Sequence, residues 1–183
     1  MIEVIERFLD NDTHSTIERT MKDMPWYYSN VTNHTEPGFM FGHIFYYSKI
    51  NGDANINSNE YESCVLPVIK KLQRLKGIKK LELLRAKANL YTNVGKQIKH
   101  GYHLDLQEDN FNGKIALYNL NTNNGYTEFK TGEKIKSVAN SLILFNGNIE
   151  HRSVSQTDTD IRMNVNINFN ILEGGDKEGV YSY

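Results

Sequence analysis

The chain has 183 residues, of which 39% are hydrophobic and 23% are charged, so it can bury a sizeable core and is predicted to form one globular domain over residues 1–183. Its 21 Lys and Arg balance 22 Asp and Glu, which argues against binding of nucleic acid or of an anionic membrane surface. A single cysteine, no signal-peptide pattern and no apolar run of membrane-spanning length together predict a cytoplasmic location.

The N-terminal part, about residues 1–79, is predicted to support a β core with helices and strands. A short helix is expected early in the chain, and the aromatic run 39–47 favours a strand. The aromatic cluster Trp26-Tyr27-Tyr28 is expected in the core, and Asn51-Gly52-Asp53 predicts a turn.

The segment from Ser58 to Lys76 has a helical pattern. Its apolar residues recur at spacings of three and four, Ser58 or Asn59 can cap its start, and Gly77 can end it. Pro67 lies inside this segment, so the helix is expected to kink or restart there.

After Gly77 the hydrophobic period changes from helical to two, which predicts strands. The strand-like runs are residues 81–91, 114–120, 126–130, 141–146 and 161–171. Turn signals rich in Asn and Gly separate them, such as Asn112-Gly113, Asn123-Asn124-Gly125 and Asn146-Gly147-Asn148. Short strands at this spacing favour an all-β sandwich or barrel preceded by a helix.

Two of these strands have one apolar and one polar face. In the last strand, Arg162, Asn164, Asn166 and Asn168 alternate with apolar residues, and in residues 81–91 the polar set is Arg85, Lys87, Asn89 and Tyr91. A polar face on a surface strand meets water, whereas in a barrel it lines a polar pocket. The pattern alone leaves both interpretations open.

The tripeptide His103-Leu104-Asp105 is a candidate metal site, because residues i and i+2 of an extended segment share a face. His151, which follows a turn and so lies near a strand end, can complete a set of two His and one carboxylate. This facial set leaves open positions on the metal and is typical of non-haem iron(II) oxygenases. His100 is expected to be exposed or just behind the site, and Arg152 to face away from it.

Arg162 lies 11 positions after His151, on a strand whose polar face can turn inward. An anionic cosubstrate beside the iron needs a fixed cation, and Arg offers a planar fork that binds a carboxylate through two hydrogen bonds. Arg162 is therefore the candidate anchor.

The order His103-Leu104-Asp105, His151, Arg162 resembles the His-x-Asp…His…Arg pattern of the 2-oxoglutarate/iron(II) dioxygenases. The segments 88–91, 116–129 and 142–145 resemble the prolyl 4-hydroxylase branch, and the whole resemblance covers about residues 80–171. The sequence departs from that branch at Asn124, where the branch has Gly. It also departs at Asn119, where the branch has a tyrosine; Tyr118 beside it should face the other way.

The resemblance implies a mainly β (α+β) fold, a double-stranded β-helix (jelly-roll) core with flanking helices. It implies that His103, Asp105 and His151 bind Fe(II), and that Arg162 binds the distal carboxylate of 2-oxoglutarate. The further cosubstrate contacts that it implies are Tyr91, Asn119 and Asn164. A carboxylate at position 105 argues for hydroxylation, because related halogenases have a small residue there.

The implied reaction consumes O2 and 2-oxoglutarate and yields succinate and CO2, with ascorbate as a possible reductant. The implied substrate is a prolyl residue in a peptide or protein, for which residues 39–57 could supply a groove wall, with Tyr46, Tyr47 or Trp26 against the ring. Two alternatives stay open: the same chemistry on a free amino acid, small molecule or nucleobase, and a non-enzymatic β-barrel binding module. The sequence does not indicate an oligomeric state.

Overall fold

The computed structural model describes residues 1–32, 37–48, 54–106 and 113–172. The predicted turn at 51–53 and Asn112 lie outside these residues. The strands are β1 (Ile2–Ile5), β2 (Tyr27–Val31), β3 (Pro37–Ser48), β4 (Ala54–Ile56), β5 (Leu81–Thr92), β6 (Lys114–Asn119), β7 (Tyr126–Phe129), β8 (Lys134–Lys136), β9 (Ser141–Asn146), β10 (His151–Val154) and β11 (Ile161–Ile171). The helices are α1 (Asn11–Asp23), α2 (Tyr61–Cys64) and α3 (Leu66–Lys76).

Two antiparallel sheets form the core. The large sheet has the order β1-β9-β6-β11-β5-β3-β2, with β4 paired to β3, and the small sheet has the order β10-β7-β8. Chain neighbours such as β5 and β6 are separated in the sheet by β11, a crossover pattern that a simple meander does not produce. This arrangement confirms the predicted mainly β, jelly-roll core with flanking helices.

The helical segment is interrupted and restarts next to Pro67, as predicted. α2 ends at Cys64, and α3 begins at Leu66 with Pro67 in its first turn, where the missing amide hydrogen costs no helical bond. Gly77 ends α3 with φ 66°, a left-handed conformation that glycine adopts without a Cβ clash. No helix in the described ranges is long and apolar enough to cross a bilayer.

The apolar face of the large sheet packs against the helices. Ala86 and Ala88 of β5 and the alternating apolar residues of β11 share one core cluster with Ile17 of α1 and Leu72 of α3. Each fully buried aliphatic side chain of this kind contributes about 1.5–3 kcal/mol. The cluster therefore joins both halves of the chain and fixes which face of β5 and β11 is turned away from it.

The two sheets meet at a second, smaller cluster, formed by Ile115, Leu117, Phe129, Ile143 and Phe145. It holds one end of β7 against β6 and β9. Beyond this cluster, the polar faces of β5 and β11 look toward the small sheet across a cavity of about 370 Å³. The sequence left open whether the polar face of these strands meets water or lines a pocket, and in the structure it lines a pocket.

The aromatic cluster at residues 26–28 is not core, which corrects the prediction. Tyr27 and Tyr28 are 63% and 66% exposed, because β2 is the terminal strand of its sheet, and only Trp26 packs against the core. Tyr118 does face away from the cavity, as predicted, and its hydroxyl donates to Asn140 Oδ1 at 3.0 Å inside the helix-side core.

Candidate active site

His103 and His151 face each other across a pair of reciprocal backbone hydrogen bonds. The His103 amide donates to the His151 carbonyl at 3.0 Å, and the His151 amide donates back at 3.1 Å. His151 begins β10, whereas His103 forms a single bridge rather than the strand that the sequence suggested. Their ring centroids lie 4.8 Å apart, so both imidazoles point to one spot.

Asp105 completes the set. Its Oδ1 atom lies 3.7 Å from His103 Nε2 and 3.9 Å from His151 Nε2. The three side chains offer one nitrogen or oxygen each, all within 4.8 Å of one another. This is the spacing at which three donors can bind one side of a single metal ion.

The second nitrogen of each imidazole is held by the backbone. His103 Nδ1 donates to the Gly101 carbonyl at 3.1 Å, and His151 Nδ1 donates to the Ile149 carbonyl at 3.2 Å. A carbonyl only accepts, so Nδ1 carries a hydrogen, and in the neutral form of the ring the lone pair is on Nε2. Such orientation of the other ring nitrogen is typical of metal-binding histidines.

Two amides of β11 hold the carboxylate of Asp105. Asn166 Nδ2 and Asn168 Nδ2 each donate to Asp105 Oδ2 at 2.9 Å. Arg85 Nη2 lies 3.2 Å from Oδ1. Burial alone raises the pKa of Asp105, but Arg85 and the two imidazoles outweigh it and hold the pKa below its ordinary range. Asp105 is therefore an anion, as a metal ligand must be.

Arg162 lies at the other end of the same cavity, only 1% exposed. Its Nε donates to Ser137 Oγ at 2.7 Å, Nη1 donates to Ser153 Oγ, and Nη2 donates to Thr127 Oγ1 at 3.4 Å. In the described part of the chain no carboxylate forms an ion pair with it. Burial lowers the pKa of Arg162, and the only described group that raises it is Tyr91.

Gly125 provides the space for Arg162. A Cβ atom at this position would lie 2.9 Å from Arg162 Cδ and 2.9 Å from the carbonyl oxygen of Val154. The backbone oxygen cannot move cheaply, so only glycine permits this close approach. Asn124, the departure from the family pattern, lies beside it and hydrogen-bonds Thr157 instead.

Of the three other predicted cosubstrate contacts, two line the cavity and one lies behind its lining. Tyr91 and Asn164 line the cavity, and the Tyr91 ring stacks on His100 at 5.4 Å. Asn119 is not part of the cavity lining, and its role in cosubstrate binding stays a prediction. Asn119 lies one layer behind, where its Oδ1 accepts from Ser137 Oγ at 3.5 Å, because the last residues of β6 are covered by the 137–141 segment.

His100 and Arg152 match their predictions of lying outside the metal set. Burial, Arg162 and His103 lower the pKa of His100 to about 4, so it is neutral beside the buried guanidinium. Arg152 faces away from the cavity and pairs with Glu128 at 2.7 Å.

Sequence reasoning missed several residues of the site. No sequence signal identified the three hydroxyls around Arg162, because Ser and Thr are common residues. The sequence also did not identify Arg85 as the partner of Asp105, because Arg85 is one of four polar residues on its strand face. The lining of the cavity also includes Ser29, Val31 and Thr32 of the β2 region, at one end of the large sheet, and it includes no described residue of 39–57. The Asn166 and Asn168 pair could have been found from the polar alternation of β11.

This fold, a jelly roll with a His-Asp-His facial triad at one end of its cavity, is that of the 2-oxoglutarate/iron(II) oxygenases. No protein-family model matches the sequence, and no curated protein is significantly similar to it. Solved structures are similar in fold. An oxidoreductase of the 2OG-Fe(II) oxygenase family from Burkholderia pseudomallei superposes with a TM-score of 0.75 at 10% identity, covering 94% of this chain and 86% of that one.

Two further neighbours differ from each other in activity. The viral collagen prolyl hydroxylase of Paramecium Bursaria Chlorella virus-1, in its 2OG complex, has a TM-score of 0.59 at 16% identity and covers 92% of this chain and 94% of its own. A non-heme alpha-ketoglutarate-dependent epimerase of nogalamycin biosynthesis has a TM-score of 0.61 at 14% identity, with 92% and 76% covered. At these identities the likeness establishes the fold.

Proposed function

We propose that the protein is an Fe(II)- and 2-oxoglutarate-dependent oxygenase that hydroxylates its substrate. His103, Asp105 and His151 would hold the iron, and Arg162 would bind the distal carboxylate of 2-oxoglutarate. The observation that carries the proposal is the pairing of two features in one cavity: the His103-Asp105-His151 group at one end, and at the other a buried guanidinium that pairs with no described carboxylate.

The residues present fit the groups that the proposal requires. Two imidazoles whose Nε2 atoms face the carboxylate of Asp105 form, with that carboxylate, the donor set preferred by iron(II) in oxygenases of this kind. A structural metal site needs no buried cation nearby, and an unpaired buried guanidinium is costly unless an anion reaches it. These two facts favour an oxygenase over a binding module.

When bound, iron and 2-oxoglutarate supply the oxidation chemistry, with O2 consumed and succinate and CO2 formed. The protein's own residues position the metal ligands and Arg162 and shield Arg162 from water. The Gly101 and Ile149 carbonyls fix the imidazoles, Asn166 and Asn168 fix the carboxylate, and the hydroxyls of Ser137, Ser153 and Thr127 fix Arg162. Burial of Arg162 excludes water from its guanidinium, which strengthens the charge-assisted pair with a carboxylate.

For the substrate we propose a prolyl residue in a peptide or protein. Val31 lines the cavity and is 39% exposed, so the cavity reaches the surface beside β2. Tyr27 is exposed on the same strand, two residues before Ser29 of the cavity lining, and offers an apolar contact to an extended chain. Proline suits such a site, because its fixed φ lowers the ordering cost of binding. A small molecule is the second candidate, favoured by the similarity in fold to the epimerase.

The test is turnover with Fe(II), 2-oxoglutarate and O2. We expect succinate to form, to require iron and to increase with a proline-containing peptide, whose mass rises by one oxygen. A matched peptide with alanine in place of proline should stay unmodified. Succinate stimulated only by a free amino acid or another small molecule would replace the prolyl proposal with the second candidate, and absence of any succinate would overturn the oxygenase.

A further inference from the structure

Lys87 lies at the centre of β5, between Arg85 and Asn89 on the polar face, and its side chain lines the cavity. Space for it comes from the neighbouring strand: Gly42 of β3 has no side chain there, and a Cβ atom on Gly42 would lie 2.8 Å from Lys87 Cε. The lysine stem therefore lies over Gly42 of β3, on the face of the sheet that lines the cavity.

The ammonium of Lys87 has no hydrogen-bond or ion-pair partner among the residues that the structure describes. Burial and the charge of Arg85 lower its pKa, and Asp105 counteracts them. Yet Asp105 is already engaged by Arg85 at 3.2 Å and by two Asn amides. A partly buried ammonium without an anion costs free energy, and most such groups in proteins are paired.

The charges of the described cavity lining are unbalanced. Among the described residues, it holds three cationic side chains, those of Arg85, Lys87 and Arg162, and one carboxylate, that of Asp105. Arg85 is neutralised by Asp105. In the proposed function, Arg162 takes one carboxylate of 2-oxoglutarate, and the other lies at the iron. Lys87 is then the cation that neither the metal site nor the cosubstrate uses.

A second polar group of the lining also lacks a partner. The hydroxyl oxygen of Thr32, at the end of β2, is buried and has no hydrogen-bond partner among the described residues. Buried hydroxyls are hydrogen-bonded in the large majority of cases. The β2 region forms the wall beside the cavity mouth, where a substrate would enter.

We propose that Lys87, assisted by the Thr32 hydroxyl, binds a carboxylate of the substrate. This inference rests on the proposed function and narrows its substrate class: the hydroxylated molecule carries an acid group close to the carbon that reacts. The carboxylate has two possible sources, a terminal carboxylate, as in a free amino acid or a C-terminal prolyl residue, and an acidic side chain beside the target residue.

The experiment compares acid and amide forms of the same probes. The pairs are L-proline and prolinamide, a short peptide ending in proline as acid and as amide, and an internal prolyl peptide flanked by Asp or by Asn. Binding is measured by calorimetry without O2, on protein loaded with Mn(II) and saturating 2-oxoglutarate. Turnover is followed separately as succinate with Fe(II).

In the wild-type protein, one acid probe should bind at least about tenfold more tightly than its amide, since a charge-assisted hydrogen bond contributes about 1.5–3 kcal/mol. Which pair shows this preference identifies the source of the carboxylate. Lys87→Met should remove the preference, and Lys87→Arg should retain part of it. Lys130→Met is the matched control, because Lys130 lies at the surface in an ion pair with Glu150, and it should leave the preference intact.

Three results would overturn the inference: a wild-type protein that binds none of the acid probes, one that binds acid and amide equally, or a Lys87→Met variant that keeps the preference but needs much more 2-oxoglutarate. The last result would assign Lys87 to the cosubstrate. Thermal melts of both Lys87 variants separate misfolding from loss of binding. Failure of the proposed function would give a different result, because the wild-type protein would then form no succinate either with a probe or without one.

Discussion

Arg85 and Arg162 lie on the neighbouring strands β5 and β11 and enter the same cavity from its two ends, yet they differ in what surrounds them. Arg85 pairs with Asp105 and donates through Nε to Asn168 Oδ1 at 2.8 Å. Arg162 is more deeply buried, and its described partners are neutral hydroxyls.

Under the proposed function, Arg85 is a structural cation whose counterion is in the chain, and Arg162 is a cation whose counterion is the bound cosubstrate. A buried ion pair is satisfied within the chain, whereas a buried cation among hydroxyls keeps its charge for an external anion. The following predictions test this contrast between the metal end and the Arg162 end of the cavity, from the largest expected effect to the smallest.

The metal end should fail completely when a ligand is removed. His103→Ala or Asp105→Ala should reduce succinate formation below detection and weaken iron binding, because too few ligands remain to define the geometry. Iron content and succinate are measured on the same folded samples. His100→Ala is the control, since His100 lies close to the site without belonging to the triad, and its variant should retain bound iron. Full turnover in either ligand variant would disprove the triad.

At the Arg162 end, Arg162→Met should raise the 2-oxoglutarate concentration needed for half-maximal turnover by roughly a hundredfold, since a charge-assisted pair with a carboxylate is lost. The same change should increase the stability of the ligand-free protein, because it removes a buried charge that has no counterion among the described residues. Denaturant melts with and without 2-oxoglutarate measure both effects.

Arg152→Met provides the contrast for that test. Arg152 is paired with Glu128 and faces away from the cavity, so its loss should leave the 2-oxoglutarate requirement unchanged. If Arg162→Met saturates at the wild-type 2-oxoglutarate concentration, another cation such as Arg85 or Lys87 binds the carboxylate.

The amides that hold Asp105 should matter less than the ligands themselves. Asn168→Ala removes one of two donors to Oδ2 and should weaken iron binding by about 10–100-fold, the usual range for groups that orient a ligand. Metal titration measures it. Asn170→Ala on the same strand is the control, because Asn170 bonds to Glu82 at the exposed end of β11. Equal metal affinity in the two variants would contradict this role.

The smallest effect should come from pH at the Glu128–Arg152 pair. Burial raises the pKa of Glu128, but Arg152, Lys99 and Lys134 outweigh it, so the folded-state pKa lies below the ordinary value of 4.5. A depressed pKa stabilises the fold above the unfolded-state pKa, and this stabilisation is lost as the pH falls through the folded-state pKa. Glu128→Gln should therefore flatten the acid limb of the stability curve, by about 1 kcal/mol or less. An unchanged acid limb in urea melts would refute it.

The sequence by itself determined the strand pattern, the helix restart at Pro67 and the grouping of His103, Asp105 and His151 as candidate metal ligands. The alternation of apolar and polar residues predicted β5 and β11 nearly to the residue, because successive side chains of a strand point to opposite faces. The spacing His103-Leu104-Asp105 placed two ligands on one face, since extended backbone repeats every two residues. Both signals are local and need no knowledge of neighbouring strands.

Only the tertiary structure decided which polar residues act together. It turned the polar face of β11 inward, paired Arg85 with Asp105, surrounded Arg162 with three hydroxyls and moved Asn119 one layer away from the cavity. It also brought the β2 region to the cavity, whose lining includes no described residue of 39–57. These outcomes depend on sheet order and on packing between sheets, and a single sequence carries no record of which strand lies opposite another.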